Sequence, residues 1–259
     1  MRAPVALLLL LAPLLPFGAA QADDFEISNR DVAALIHALQ QSAQTPGPDR
    51  ITLAAGGIYT LELTDSAGLA LPPLRGDVQI DGNGAEIRRY AATRMYLMEV
   101  AAGATAVISS LTLAEGSLGA LRNHGTLTLD HVAITDSFNE DAEAIVLNFG
   151  TLTLRDSLIG YNQIHGIDDA SGLIENHGRL DMQRSRIVGN SVSRKSQAVK
   201  GAAAVVNEGE LTADATEFSA NDISDPFGGL TFSAVLNLGS GTAHGLLPQT
   251  LIADVIDPR

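Results

Sequence analysis

A chain of 259 residues with a formal charge of −14, no cysteine and no tryptophan excludes several classes at once. Disulfides, thiol nucleophiles, cysteine-ligated zinc and a lipidated N-terminal cysteine are ruled out, and the acidity argues against nucleic acid or an anionic lipid surface as a partner. The length suffices for one continuous core in a single domain.

Residues 1–22 read as a secretory signal peptide. Arg2 precedes the apolar run VALLLLLAPLL, which is broken by Pro13 and Pro16 and ends at Ala20-Gln21-Ala22, an A-x-A cleavage signature before Asp23. No later stretch could span a bilayer, so the expected location is periplasmic or extracellular. Residues 23–49 read as a capping helix and linker. Ser28 and Asp31 suit a capping-box pair, and Val32, Leu35, Ile36 and Leu39 form one apolar stripe that stops before Pro46-Gly47-Pro48. Such a helix would plug the open first coil of a solenoid. His37 within it reads as a surface residue.

Strand patterns begin with ITLAAGGIYTLEL (51–63), alternating around Gly56-Gly57. Val78-Gln79-Ile80 and Ala85-Glu86-Ile87 then read as two short strands joined by an Asp81-Gly82-Asn83-Gly84 turn. No helix pattern follows that Gly-x-Gly, which argues against a phosphate loop. MYLMEV (95–100) and AVISSLTL (106–113) complete the irregular early coils.

From Leu121 onward one pattern recurs. Asn-x-Gly appears as Asn123-His124-Gly125, Asn148-Phe149-Gly150, Asn176-His177-Gly178, Asn207-Glu208-Gly209 and Asn237-Leu238-Gly239. An aliphatic stands two residues before each Asn. Leu127/Leu129, Leu152/Leu154, Leu180/Met182 and Leu211/Ala213 stand four and six after the first four. Eleven after come Ile134, Ile159, Ile187 and Phe218, and fourteen after come Ser137, Asn162, Asn190 and Asn221. Period-2 apolar positions inside a repeat of 25 to 31 residues predict an all-β, single-domain right-handed parallel β-helix over 50–259. Asn123, Asn148, Asn176, Asn207 and Asn237 are expected to stack as an amide ladder at a left-handed corner, with the Gly freeing the backbone. Eight or nine coils would make a rod about 40 Å long.

Because the columns persist to the fourteenth residue after each Asn, length variation is confined to 138–143, 163–171, 191–202 and 222–232, stacked on one side of the rod. Loops on a rigid scaffold are where sites are built. After the last Asn-x-Gly the columns fail in SGTAHG, which reads as a C-terminal cap closed by LLPQTLIADVI.

The order ITLAAGGIYTL, GDVQIDGNGAEI, VISSLTLAEG, LRNHGTLTL resembles exported bacterial β-helix proteins that open with a Cys-Ser-Leu-Arg-Glu-Ala motif. The later units also resemble the repeats of the chlamydial-type polymorphic outer-membrane proteins. Their Gly-Gly-Ala-aliphatic tetrapeptide corresponds to Ser171-Gly172-Leu173-Ile174 and Ala202-Ala203-Ala204-Val205, and their Phe-x-x-Asn to Phe218-Ser219-Ala220-Asn221. The resemblance covers residues 50 to 240 and implies a secreted or surface-displayed protein, some relatives being adhesins. This chain lacks the opening cysteine motif, and no barrel follows its repeats, which leaves a free rather than an anchored protein as the expectation.

The candidate chemistry sits on the variable segments. His165, Asp168 and Asp169 are followed one coil later by Arg194, Lys195 and Lys200 and preceded by Glu140, Asp141 and Glu143. Polygalacturonases share these residue types in a different order and spacing. Asp168 or Asp169 facing Glu140 or Asp141 would suit glycoside hydrolysis. Polysaccharide lysis would use such carboxylates to hold calcium, with Arg194 or Lys195 as the base. His124 and His177 share one position of the repeat, but Phe149 lies between them and a separation of about 10 Å is too far for a common metal unless a side chain bends round; they read as exposed corner histidines. Ser137, Ser157 and Ser185 lack any His and Asp arrangement that would mark a nucleophile.

The function that follows is a noncatalytic binding or adhesion-type module for polysaccharide or cell-surface glycan, using Glu140, Asp141, Asp168, Asp169, Arg194 and Lys195. The alternative is a polysaccharide lyase or glycoside hydrolase acting through the Asp168/Asp169 loop.

Overall fold

The computed structural model describes residues 22–45, 47–140, 143–167, 171–194, 202–224, 233–238, 242–246 and 252–255. The chain opens with β1 (Asp24–Ile27), α1 (Val32–Ser42) and β2 (Pro48–Leu53), then β3 (Ile58–Leu61), β4 (Asp77–Arg89), β5 (Tyr96–Val100) and β6 (Thr105–Ala114). One full coil of the regular part is β7 (Gly119–Asn123), β8 (Thr126–Asp130), β9 (Ala133–Thr135) and β10 (Phe138–Asn139). Later coils repeat it, and every strand pair is parallel. The strands stack into three sheets of fourteen, seven and four strands among the described residues. This is a parallel β-helix.

The registers match the columns of the sequence residue for residue. Leu127, Leu152, Leu180 and Leu211 pair in file, as do Leu129, Leu154, Met182 and Ala213, and Ile134, Ile159, Ile187 and Phe218. All but Phe218 are buried, and Phe218 packs on the same core. Period 2 sends these side chains inward in every coil, so one apolar column removes its neighbours from water. The seven-stranded sheet counts seven coils, fewer than the eight or nine expected, because the short early strands belong to fewer and longer coils. At about 4.8 Å per coil the rod is about 34 Å long.

Four other expectations are corrected. Helix α1 is capped by Asp31 itself, whose Oδ1 accepts from the Ala34 N–H at 2.9 Å. Ser28 is not the cap; its backbone carbonyl accepts the Asp31 N–H. Ahead of the helix, β1 already pairs in parallel with β2; four residues gave too short a pattern to read. Asp81 to Gly84 do not separate two strands but lie within continuous β4 as a bulge, with Asn83 and Gly84 at positive φ. Finally, the variable segments begin as strands: β10, Gln163–Ile167, Ser191–Arg194 and Asp222–Ser224 form the four-stranded sheet.

The plug behaves as expected. Leu35, Ala38 and Leu39 of α1 are buried in the main core, and Val32 and Ile36 pack beside it. No helix among the described residues is long and apolar enough to cross a membrane.

The corner also differs in mechanism from its expectation. The amide ladder is present: Asn123, Asn148, Asn176 and Asn207 each donate through Nδ2 to the Oδ1 of the next, at 2.8, 2.6, 2.7 and 3.0 Å, ending on Asn237. Each Nδ2 also donates to a backbone carbonyl of the following coil, on Thr151, Arg179, Glu210 and Thr242. Yet the four buried Asn and their Gly have ordinary negative φ. The Gly is required by proximity: a Cβ on Gly150, Gly178 or Gly209 would lie 2.0–2.1 Å from the carbonyl oxygen of the equivalent Gly one coil back. The left-handed corners fall elsewhere, at His131, Asp156, Arg184 and Ala215 and at Asp136, Tyr161, Gly189 and Ala220. A second amide file runs there, Asn162 Nδ2 to Asn190 Oδ1 at 3.1 Å and Asn190 to Asn221 at 2.8 Å.

Candidate functional site

Alternation along the seven-stranded sheet turns the residue just before each ladder Asn, and the one just after it, away from the apolar columns. The first column runs Glu99, Arg122, Leu147, Glu175, Val206 and Leu236; its first four members are partly exposed, and Val206 and Leu236 are buried. The second holds the middle residues of the Asn-x-Gly steps, His124, Phe149, His177 and Glu208. Rigid inward columns therefore present a two-column strip whose chemistry differs coil by coil.

In the second column the rings stack. His124 lies on one face of Phe149 (centroids 5.0 Å apart, 3° between planes) and His177 on the other (4.9 Å, 7°). The interstrand repeat sets this spacing, so the backbone preorganises the stack. His177 Nδ1 lies 2.8 Å from Glu208 Oε2 in the next coil. Phe149 remains 48% exposed. The separation of about 10 Å between the two histidines and the intervening Phe149 are legible in the repeat; the stacking of the three rings is not, because it depends on their orientation.

In the first column Arg122 pairs with Glu99 at 2.9 Å and lies over the Tyr96 ring, 4.4 Å from its centroid. The Tyr96 hydroxyl donates to Glu143 Oε2. Gly119 makes this reach possible: a Cβ there would lie 2.6 Å from the Tyr96 ring. Burial, and then Glu143, push the Tyr96 hydroxyl well above its ordinary range, so it acts as a hydrogen-bond donor and not as a base.

Glu175 is the unusual carboxyl. It stands between Leu147 and Val206 in the file, and no arginine or lysine pairs with it among the described residues. Burial pushes it up to about 7; nearby His177 opposes the shift, Glu208 and Glu143 add to it, and a hydrogen bond from the Gly172 N–H opposes it. Near neutral pH it is therefore present both as donor and as acceptor.

Of the residues singled out in the sequence, Asp141, Asp168, Asp169, Lys195 and Lys200 lie outside the described residues. Glu140 is exposed just after β10, and Glu143 joins the Tyr96 cluster. His165 is outward on Gln163–Ile167 and meets Phe138 edge-on at 4.9 Å. Arg194 ends Ser191–Arg194, with its Cα partnered to Ile167. Among the described residues, the three ligand-type side chains within 4.8 Å of one another are Asp130, His131 and Asp156, at the C-terminal ends of β8 and the strand Thr151–Arg155. They are engaged already: Asp156 takes a bidentate pair from Arg184 at 2.9 and 2.6 Å, which lowers its pKa, and His131 Nδ1 is 2.6 Å from Asp130 Oδ1. Ser157 and Ser185 accept backbone N–H groups of Val132 and Ser157 in a column, a structural use. An apolar cleft of about 620 Å³ lies against α1, lined by Val32, Ile36, Leu61, Leu63, Leu69 and Pro72.

No family model and no curated protein matches the chain. Among solved structures, it is similar to the Azotobacter vinelandii mannuronan C-5 epimerase AlgE6 A-module, at 14% identity over 82% of this chain and 76% of that one, with a TM-score of 0.42. A mutant tailspike protein of E. coli bacteriophage HK620 in complex with a pentasaccharide is similar at 11% identity, over 86% of this chain and 60% of that one, with a TM-score of 0.23. A likeness of this size transfers no residue role, and the β-helix assignment rests on the strand registers above.

Proposed function

We propose that this chain is an exported, noncatalytic binding module that holds a glycan along the outer strip of its seven-stranded sheet, in the manner of an adhesion-type protein. One observation carries the reading: two adjacent outward columns, in unbroken register, bring Arg122, the exposed Phe149 between two histidines, and Glu175 onto one continuous surface. Each part suits a polyhydroxylated ligand. An aromatic ring contacts the apolar face of a sugar, a guanidinium and a carboxylate bond its hydroxyls, and a carboxyl titrating near neutrality serves either polarity. The scaffold pays little ordering entropy on binding, since the backbone ladder already fixes these groups. On this reading the variable segments, with Glu140, Asp141, Asp168, Asp169, Arg194 and Lys195, would add contacts to the same ligand.

A second reading draws on one feature, the Glu175 carboxyl near 7, since a general acid or base works best at such a value. In that case the chain would cleave or eliminate across a polysaccharide, with Glu175 moving the proton in place of the Asp168/Asp169 pair.

One assay separates the two. A panel of acidic and neutral polysaccharides is scored for retention of the protein and for release of reducing ends or unsaturated products. Binding without products, weakened about fivefold by Phe149→Ala, a loss of about 1 kcal/mol, is the expected result. Products that vanish in Glu175→Gln would establish the enzyme instead, and no retention on any polymer would end both readings.

A further inference from the structure

The start of β1 carries a second, unrelated site. Asp49 on β2 faces inward and is 0% exposed. Its Oδ2 accepts from the Thr45 hydroxyl at 2.9 Å and its Oδ1 from the backbone N–H of Asp23 at 2.8 Å. The Asp23 carbonyl in turn accepts from the Arg50 N–H at 2.8 Å, so Asp23 is pinned on both sides. Among the described residues no lysine, arginine or histidine pairs with Asp49. A buried carboxylate with only neutral donors is costly, because the desolvated charge has no counter-ion. The atom that touches it is the backbone nitrogen immediately after Ala20-Gln21-Ala22, the sequence's cleavage signature, and Ala22 is exposed.

We propose that leader removal supplies the missing counter-ion: the α-ammonium of Asp23, freed by cleavage after Ala22, forms a partly buried ion pair with Asp49 and locks β1 onto β2. The chemistry is a peptide hydrolysis by a signal-type peptidase. The Ala22 carbonyl to Asp23 nitrogen bond breaks, water gives its hydroxyl to the Ala22 carboxyl, and the amine released takes up protons to become –NH₃⁺. The nitrogen then carries three donors and a charge where it had one neutral N–H, and a charge-assisted bond is about twice as strong as a neutral one. Processing thus tightens the strand that closes the first coil over α1. The inference rests on the export reading, not on the glycan-binding one.

N-terminal sequencing of the full chain, recovered after export from a bacterial host, should give Asp23 as residue one; any other start overturns the proposal. A chain released from a fusion to begin at Asp23 should then unfold about 3 °C or more above one that retains Ala22, and Asp49→Asn should abolish the difference. Equal midpoints would overturn the ion pair while leaving processing intact. Should Asp49→Asn fail to fold, acylation of the α-amine decides the matter: in the folded Asp23 chain it should be at least tenfold slower than in the denatured chain, and equal rates would exclude the pair.

Discussion

Two columns on the same strands, one residue apart, behave in opposite ways. The ladder column holds Asn in every coil from Asn123 to Asn207, buried and bonded amide to amide. The outer column beside it holds Arg122, Leu147, Glu175 and Val206, no two alike. Both have the same backbone spacing, so the difference lies in what each side chain must satisfy. A buried amide must find its hydrogen-bond partners in the protein, and an identical amide one coil away supplies one in every coil, whereas the partly exposed Arg122, Leu147 and Glu175 are under no such demand. Repetition in this fold marks the scaffold, and departure from repetition marks the candidate chemistry.

The sharpest way to break the contrast is at the ladder. Asn176→Ala should cost about 4 kcal/mol in denaturant unfolding, since it deletes bonds to Asn207 and to the Gly178 and Glu210 carbonyls and removes one of the acceptors of Asn148. Gly178→Ala should cost about 3 kcal/mol, because its Cβ would meet the Gly150 carbonyl oxygen at 2.1 Å and backbone must shift. If position 178 needed freedom of φ instead, Gly178→Asn would be tolerated better than Gly178→Ala; the close approach predicts that it is no better.

In the outer column, substitution should be tolerated and one should help. The folded Glu175 carboxyl titrates at about 7 against an ordinary 4.5, so between those values the native state holds a proton that the unfolded chain has lost. Stability from this group is full below pH 4.5 and falls as pH rises through 7. Glu175→Gln should therefore match the parent at pH 4 and exceed it by 2 to 3 kcal/mol, roughly, at pH 8, measured by urea unfolding at both pH values. A pH-independent difference would show that the carboxyl is not held protonated.

The smallest effect tests the corners. Ala215 is exposed at φ 47°, and Ala215→Gly should raise stability by about 0.5 kcal/mol, since relief of left-handed strain slightly exceeds the added chain entropy. Thermal unfolding would detect it, and a loss of stability would show that the stacked coils remove the strain.

The fold was legible because repetition averages over local ambiguity. No single unit such as Leu127 to Leu129 distinguishes a strand in a helix from one in a hairpin, but four copies in register do. Strand β1 and the third sheet escaped notice because Asp24–Ile27 and Phe138–Asn139 are too short to show a period. The candidate strip was harder to read. His124, Phe149 and His177 were visible as one position of the repeat, but their mutual stacking needs ring orientations. Glu175 carried no motif at all, since its raised pKa comes first from burial, and its neighbours in the file, Leu147 and Val206, stand 28 and 31 positions away in the chain.

By itself the sequence determined which residues point inward, the stacking of the amides and the place where coils vary in length, because period 2 and the Asn-x-Gly spacing are one-dimensional facts. Tertiary structure alone decided why Gly stands at 150 and 178, where the backbone turns left-handed, and which outward groups meet. Those depend on the approach of one coil to the next, and distances between segments some 28 residues apart are not written in either of them.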